Sequence, residues 1–239
     1  MLWVFDVNET LLDLAPLDDV FARHTGAAEL RATWFDLVIR TALTTTAAGE
    51  YRDFGQIGGA CARAVADAHG TPLDDAALGE VAGTMRGLPA HPEVAATLTA
   101  LRADGHRIVA LANSPQATVD AQLAHAGLAP LFDAVYSAET VRALKPSPAA
   151  YRLVLDTEQT DPARTAMVAA HDWDIAGAHA AGMRTAFVAR AGRRPLPHWP
   201  APDAVGADLA EATSALLTSS ASHETPSLAS LGERRTGVA

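Results

Sequence analysis

Met1-Leu2-Trp3-Val4-Phe5-Asp6-Val7-Asn8-Glu9-Thr10-Leu11-Leu12-Asp13 opens the chain, and its first apolar run stops on a carboxylate. So short and continuous a run predicts a strand buried on both faces, and ligands of open α/β sheets gather beyond the carboxyl ends of such strands. Asp6 is therefore a candidate nucleophile at a strand tip. An aspartate is also an ordinary turn residue, so the rest of the chain has to decide between the two.

Two further apolar runs end in polar residues. Arg107 to Ala112 leads into Asn113-Ser114-Pro115, and Thr165 to Ala170 leads into His171-Asp172-Trp173-Asp174. Strands are also expected near Ala134 to Tyr136 and from Thr185 to Val188, with helices near residues 93–104, 115–126, 148–156 and 173–182. Alternation of this kind implies a parallel sheet wound with right-handed crossovers. Gly105, Gly127 and Gly182 fall where helices should end.

Residues 14–90 read differently. Phe21, Leu30, Trp34, Leu37, Val38 and Leu43, then Ile57, Cys61, Val65 and Ala66, then Leu78, Val81 and Met85 recur at helical spacing. This is a helical insert, and Gly87-Leu88-Pro89-Ala90-His91-Pro92 returns the chain to the sheet, because two prolines in four positions interrupt a helix. The expected organisation is a core of residues 1–13 and 91–217 and an insert of residues 14–90. From about Thr218 to residue 239 the composition loses periodicity and a disordered tail is expected.

A formal net charge of −10 provides no basic field for nucleic acid or an anionic membrane surface. The single cysteine, Cys61, cannot form an internal disulfide. No signal-peptide pattern is read at the start and no apolar run approaches the ~20 residues of a membrane helix, so a cytoplasmic location is expected. Of the 18 Lys and Arg residues only Lys145 is a lysine. A lone compact ammonium where arginine is otherwise used throughout suggests a site that a planar fork would not fit.

Asp6 with Thr10, Asn113 with its neighbours, Lys145 before Pro146, and Asp174 after His171, in this order, resemble the haloacid dehalogenase superfamily. The first and last elements resemble its type II 2-haloacid dehalogenase branch, over about residues 1–190. The resemblance implies an α/β fold with a Rossmann-like parallel-sheet core and a helical cap inserted after the first strand. It implies Asp6 as nucleophile, Thr10 as its orienting hydroxyl, Lys145 as its cation and Asp174 as the partner of that lysine. Arg40 resembles the cap arginine that reaches the halogen, and Asn113 the second-motif donor to an anion. Read from the residues alone, Thr10 and Asn113 could equally be helix caps and Arg40 a solvated helix residue.

Four positions carry the reaction class. Phosphatases of the superfamily have a second Asp two residues after the nucleophile; here it is Asn8, and an amide cannot shuttle a proton, whereas a departing halide needs none. Ala112 stands where the family usually has Ser or Thr, so either Ser114 takes over contact with a substrate carboxylate or that carboxylate is held differently. His171 replaces a common asparagine and Glu9 a usual glycine. Both sit at neighbouring strand tips, so a His171–Glu9 pair is expected to activate the hydrolytic water, the alternative being a histidine that only hydrogen-bonds the loop.

The expected activity is hydrolysis of short 2-haloalkanoic acids to 2-hydroxy acids through an aspartyl ester, with no cofactor or metal. The expected partner is the small halogenated acid alone, with a homodimer conceivable from the apolar excess of the insert. The alternatives are a Mg²⁺-dependent phosphatase of small metabolites and a non-catalytic member that binds a small acid.

Overall fold

The computed structural model describes residues 1–197 and 201–221. Strand β1 (Leu2–Phe5) is fully buried, with alternate side chains serving opposite faces of the sheet. Trp3 and Phe5 join the larger apolar core and Leu2 and Val4 the smaller one on the other side. That two-sided burial is why the run is continuously apolar.

The remaining strands are β2 (Arg107–Ala112), β3 (Ala134–Ser137), β4 (Thr165–Ala169), β5 (Arg184–Val188) and β6 (Ala204–Gly206). They form one parallel sheet in the order β3-β2-β1-β4-β5-β6. The chain leaves β1 for β2 on one side and later returns to β4 on the other, so a crevice opens at the carboxyl ends of these three strands. Asp6, Asn113 and His171 lie just past those ends.

Four helices intervene between β1 and the rest of the sheet: α1 (Pro16–Thr25), α2 (Leu30–Ala47), α3 (Phe54–His69) and α4 (Asp75–Arg86). Asp53 and Asp74 cap α3 and α4 by accepting from the amides of Gln56 and Ala77. Helices α2 and α3 pack together, and the Trp34 indole donates to Gly58 O at 2.9 Å. Then follow α5 (Val94–Ala103), α6 (Gln116–His125), α7 (Pro148–Glu158), α8 (Asp172–Ala180) and α9 (Leu209–Ala221). Val94, Leu98, Val119, Leu123, Leu209 and Leu216 cover one sheet face, and Tyr151, Val154, Ile175 and Ala178 the other.

The expected strands and helices appear within a few residues of their limits. At the C-terminus the sequence reading stops short, because β6 spans only three residues and helix α9 runs through Thr218 to Ala221. Leu209, Ala212, Thr213 and Leu216 bury one side of α9, and that packing carries the helix past the change in composition. The remainder of the expected tail lies outside the described residues.

Candidate active site

Asp6 continues the β1 pairing through its amide, which donates to Val168 O at 3.1 Å, and its carboxylate turns inward with 5% exposure. Thr10 Oγ1 donates to Asp6 Oδ2 at 2.6 Å and accepts from the Ala170 amide at 3.0 Å. The amide can only donate, so the threonine proton must point at Asp6. Thr10 therefore orients the carboxylate; it is not a helix cap.

Lys145 is fully enclosed and all three of its ammonium hydrogens are engaged. Nζ donates to Asp6 Oδ1 at 2.9 Å, to Asp174 Oδ2 at 2.7 Å and to Leu111 O at 2.8 Å. Burial works against its charge, but Asp174 and Asp6 outweigh that and raise its pKa. Burial likewise opposes ionisation of Asp6, yet Lys145 and then His171 hold its carboxyl well below the usual range. With every N–H used, Lys145 screens charge but has no hydrogen left for a substrate carboxylate.

Asn113 Oδ1 accepts from the Lys145 amide at 2.7 Å and its Nδ2 lies 3.4 Å from Lys145 O. It thus fixes the lysine loop. On the far side, Tyr151 donates to Asp174 Oδ1 at 2.7 Å. Tyr151 reaches that position because residue 177 is glycine: a Cβ there would collide with the tyrosine hydroxyl and come within 2.7 Å of Pro146 Cβ. Gly177→Ala is expected to lower stability by about 1–3 kcal/mol through overpacking. It should also push Tyr151 off Asp174, which a melting curve and a loss of activity would together record.

His171 bridges the second oxygen of Asp6 to Glu9. Its Nε2 is 3.0 Å from Glu9 Oε2, and its Nδ1 lies 3.3 Å from Asp6 Oδ2 without an aligned hydrogen bond among the described residues. Trp173 stacks against the imidazole with ring centres 5.1 Å apart, and Phe35 lies at 6.2 Å. Glu9 is gripped by both guanidinium nitrogens of Arg193, at 2.9 and 3.0 Å, and paired with Arg31 at 3.6 Å.

Glu9 also has φ +61°, a left-handed conformation that costs a non-glycine residue roughly 1–2 kcal/mol. That geometry explains why a glycine is usual at this turn, and the ion pairs explain how a glutamate is held there. Burial opposes the charge of Glu9, but the bonds from His171 and Arg193 lower its pKa to about 2.

Burial also opposes protonation of His171, but Asp6 and Glu9 outweigh it and raise its pKa from 6.5 to about 9. The resting site therefore holds an imidazolium at neutral pH. A raised folded-state pKa stabilises the fold fully below the unfolded value of 6.5, and the contribution disappears as pH rises through 9. The stability advantage of the native chain over His171→Asn should shrink by on the order of 3 kcal/mol across that window. Denaturant titrations at several pH values would record it.

Asn8 Nδ2 donates to Ser114 Oγ at 3.1 Å and its Oδ1 accepts from Gln122 Nε2 at 3.0 Å. Arg40 is exposed on α2, where it lines a cavity of about 670 Å³ with Glu9, Phe35, His171 and Trp173. Tyr151, Gln122, Arg31 and Arg193 belong to no sequence motif, and spacing alone offers no signal for them.

Among the described residues no group of three or more His, Cys, Asp and Glu side chains is arranged to hold a metal. Asp6 Oδ1 and Asp174 Oδ2 already share the Lys145 ammonium, and Asp6 Oδ2 faces Thr10 and His171. This donor set does not fit a divalent cation. Nor is any helix among the described residues long and apolar enough to cross a membrane.

Residues 2–182 match the family described as haloacid dehalogenase-like hydrolase. The chain is 28% identical over 189 residues to (S)-2-haloacid dehalogenase 1 of Pseudomonas sp. strain CBS-3, covering 78% of this chain and 83% of that protein. The structure of L-2-haloacid dehalogenase from Xanthobacter autotrophicus with chloropropionic acid covalently bound superposes with TM-score 0.82 at 25% identity. That match covers 87% of this chain and 95% of the other. A further L-2-haloacid dehalogenase structure, RSc1362, gives TM-score 0.84 at 27% identity, covering 91% and 97%.

Proposed function

This chain belongs to the haloacid dehalogenase-like hydrolase family, and from that premise we propose that it hydrolyses short 2-haloalkanoic acids through an Asp6 ester. The observation that carries the reading is the constellation on Asp6, with Lys145 on one oxygen and Thr10 and the unaligned His171 Nδ1 at the other. A carboxylate so buried and so charged is a nucleophile whose position is fixed before substrate arrives.

In the first step a carboxylate oxygen of Asp6 forms a bond to the α-carbon in line with the halogen. The carbon–halogen bond breaks, its electron pair leaves with the halide, and the configuration inverts. Arg40 would meet the halide from the insert side, and the Ser114 hydroxyl, backed by Asn8, would receive the substrate carboxylate. Closing the insert over the strand tips excludes bulk water and strengthens these charge interactions.

Esterification also changes the base. The Asp6 charge disappears, His171 keeps only Glu9 as an anionic neighbour, its pKa falls, and the imidazolium releases its Nδ1 proton to solvent, which leaves that nitrogen able to accept one. Water then adds to Asp6 Cγ while giving its proton to Nδ1. The tetrahedral intermediate expels the alkoxide of the 2-hydroxy acid, which takes that proton from Nδ1, and the Asp6 carboxylic acid left behind, carrying one oxygen from water, gives its own proton to Nδ1 and restores the resting pair. The (S)-2-haloacid dehalogenase relatives and the covalently bound chloropropionic acid in one of them support this course.

Incubation with 2-chloropropanoate, 2-bromopropanoate and chloroacetate, with and without chelator, tests the assignment. Chelator-insensitive halide release with formation of the 2-hydroxy acid is expected. Release of phosphate from small phosphate esters, lost on chelation, with no halide release would place the chain among phosphatases.

A further inference from the structure

Gln122 on α6 is fully buried, yet it belongs to neither the charge cluster nor a motif. Its Nε2 makes two contacts, at 2.7 Å to Met85 O and at 3.0 Å to Asn8 Oδ1, while its Oε1 is buried without a partner among the described residues. Met85 lies in the last turn of α4, where helix carbonyls have no intrahelical amide to accept from. Gln122 thus ties an insert helix to the loop that carries the nucleophile, and tolerates a lone carbonyl oxygen to do so.

The direction of the hydrogen bonds follows from the first contact. A backbone carbonyl can only accept, so the Gln122 atom facing Met85 must be the amide nitrogen. The second hydrogen of that nitrogen points to Asn8, so the Asn8 atom it meets must be the oxygen. The Asn8 NH₂ then faces Ser114 and donates to Oγ at 3.1 Å. Ser114 Oγ accepts there, and its own hydrogen has no acceptor among the described residues. Ser114 borders a small apolar cavity of about 130 Å³, walled by Trp34, Phe35, Val38 and Phe54 of the insert.

We infer that Gln122 is a positioning residue: it sets the polarity of the chain from Met85 through Asn8 to Ser114, so that the Ser114 hydroxyl is left to donate to the carboxylate of the bound acid. The inference rests on the proposed function in taking that ligand to be a small carboxylic acid whose carboxylate meets Ser114. Because Met85 belongs to the insert, the polarity is enforced while the insert is docked. A substrate carboxylate that reaches Ser114 finds no donor on Lys145, whose three hydrogens are taken, and Arg86 of the insert lines the same cavity as its countercharge.

Propanoate, which lacks a halogen, separates binding from turnover. Its dissociation constant, measured by calorimetry or tryptophan fluorescence, should rise about tenfold in Gln122→Met and in Ser114→Ala, as for the loss of one hydrogen bond to a charged group. The KM for 2-chloropropanoate should rise equally, with kcat within about threefold. In the double variant propanoate should bind no more weakly than in Ser114→Ala alone, because the two residues act through one contact.

Unchanged propanoate binding in Gln122→Met, single effects that multiply in the double variant, or a wild-type chain that does not bind propanoate would each overturn the inference. If Gln122→Met gives no cooperative melt, Asn8→Ala cuts the next link and must show the same loss. Propanoate binding without halide release by the wild type would sink the proposed reaction and leave the propanoate comparison to decide Gln122.

Discussion

Asp6→Asn is expected to reduce halide release to background, a loss of at least about 10⁴-fold, because the amide removes the nucleophile of the proposed first step. The substitution is nearly isosteric, but its single oxygen can accept from Lys145 or from Thr10 and not from both, and Lys145 keeps Asp174 and Leu111 O in either case. Loss of one anion from a buried cation should still cost about 3 kcal/mol of stability. The same variant is also a charge mimic of the ester. With the Asp6 charge gone, the His171 titration should move down from about 9, and an NMR titration of the imidazole would measure how far.

His171→Asn has the second large effect, and of a different kind. The first step needs no base, so one equivalent of halide should still appear per chain. Turnover should then stall about 10²–10³-fold, the range expected for loss of a general base. The Asp6 peptide should carry the added mass of the carboxyalkyl group after brief exposure to substrate. Steady turnover with no ester in that variant would remove His171 from the second step. Glu9→Gln should show the same stall more mildly, since Glu9 Oε2 orients Nε2 of the ring from 3.0 Å and does not face the ester.

Most of the sheet was legible because the strands are buried on both faces and interrupted by turn residues, so Trp3, Val4 and Phe5 read as strand without ambiguity. Asp6, Lys145 and His171 were legible as residues at strand tips or in strand-to-helix connections, and Asp174 as an acid in the first turn of the helix that follows β4. The solitary lysine was itself a signal, and its three engaged hydrogens account for it: a guanidinium would not fit between two carboxylates and a backbone carbonyl.

Other features were not legible because they are set by tertiary approach. Tyr151 reaches Asp174 only because Gly177 lacks a side chain, and Gln122 reaches Met85 only because α4 packs on α6. The engagement of both ends of the Asn113 amide by the Lys145 backbone is likewise a product of loop packing. Strand β6 and helix α9 were not expected from the sequence: β6 is only three residues long, and the burial that holds α9 comes from Leu209, Ala212 and Leu216 before the polar Thr218 and the serines after it.

In the proposed reaction an enzyme carboxylate, and not water, attacks the substrate carbon. A single turnover in H₂¹⁸O, with enzyme in excess over 2-chloropropanoate, tests it most directly. Unlabelled lactate is expected, with ¹⁸O in the peptide that contains Asp6. Heavy oxygen in the lactate, with an unlabelled Asp6 peptide, would contradict it.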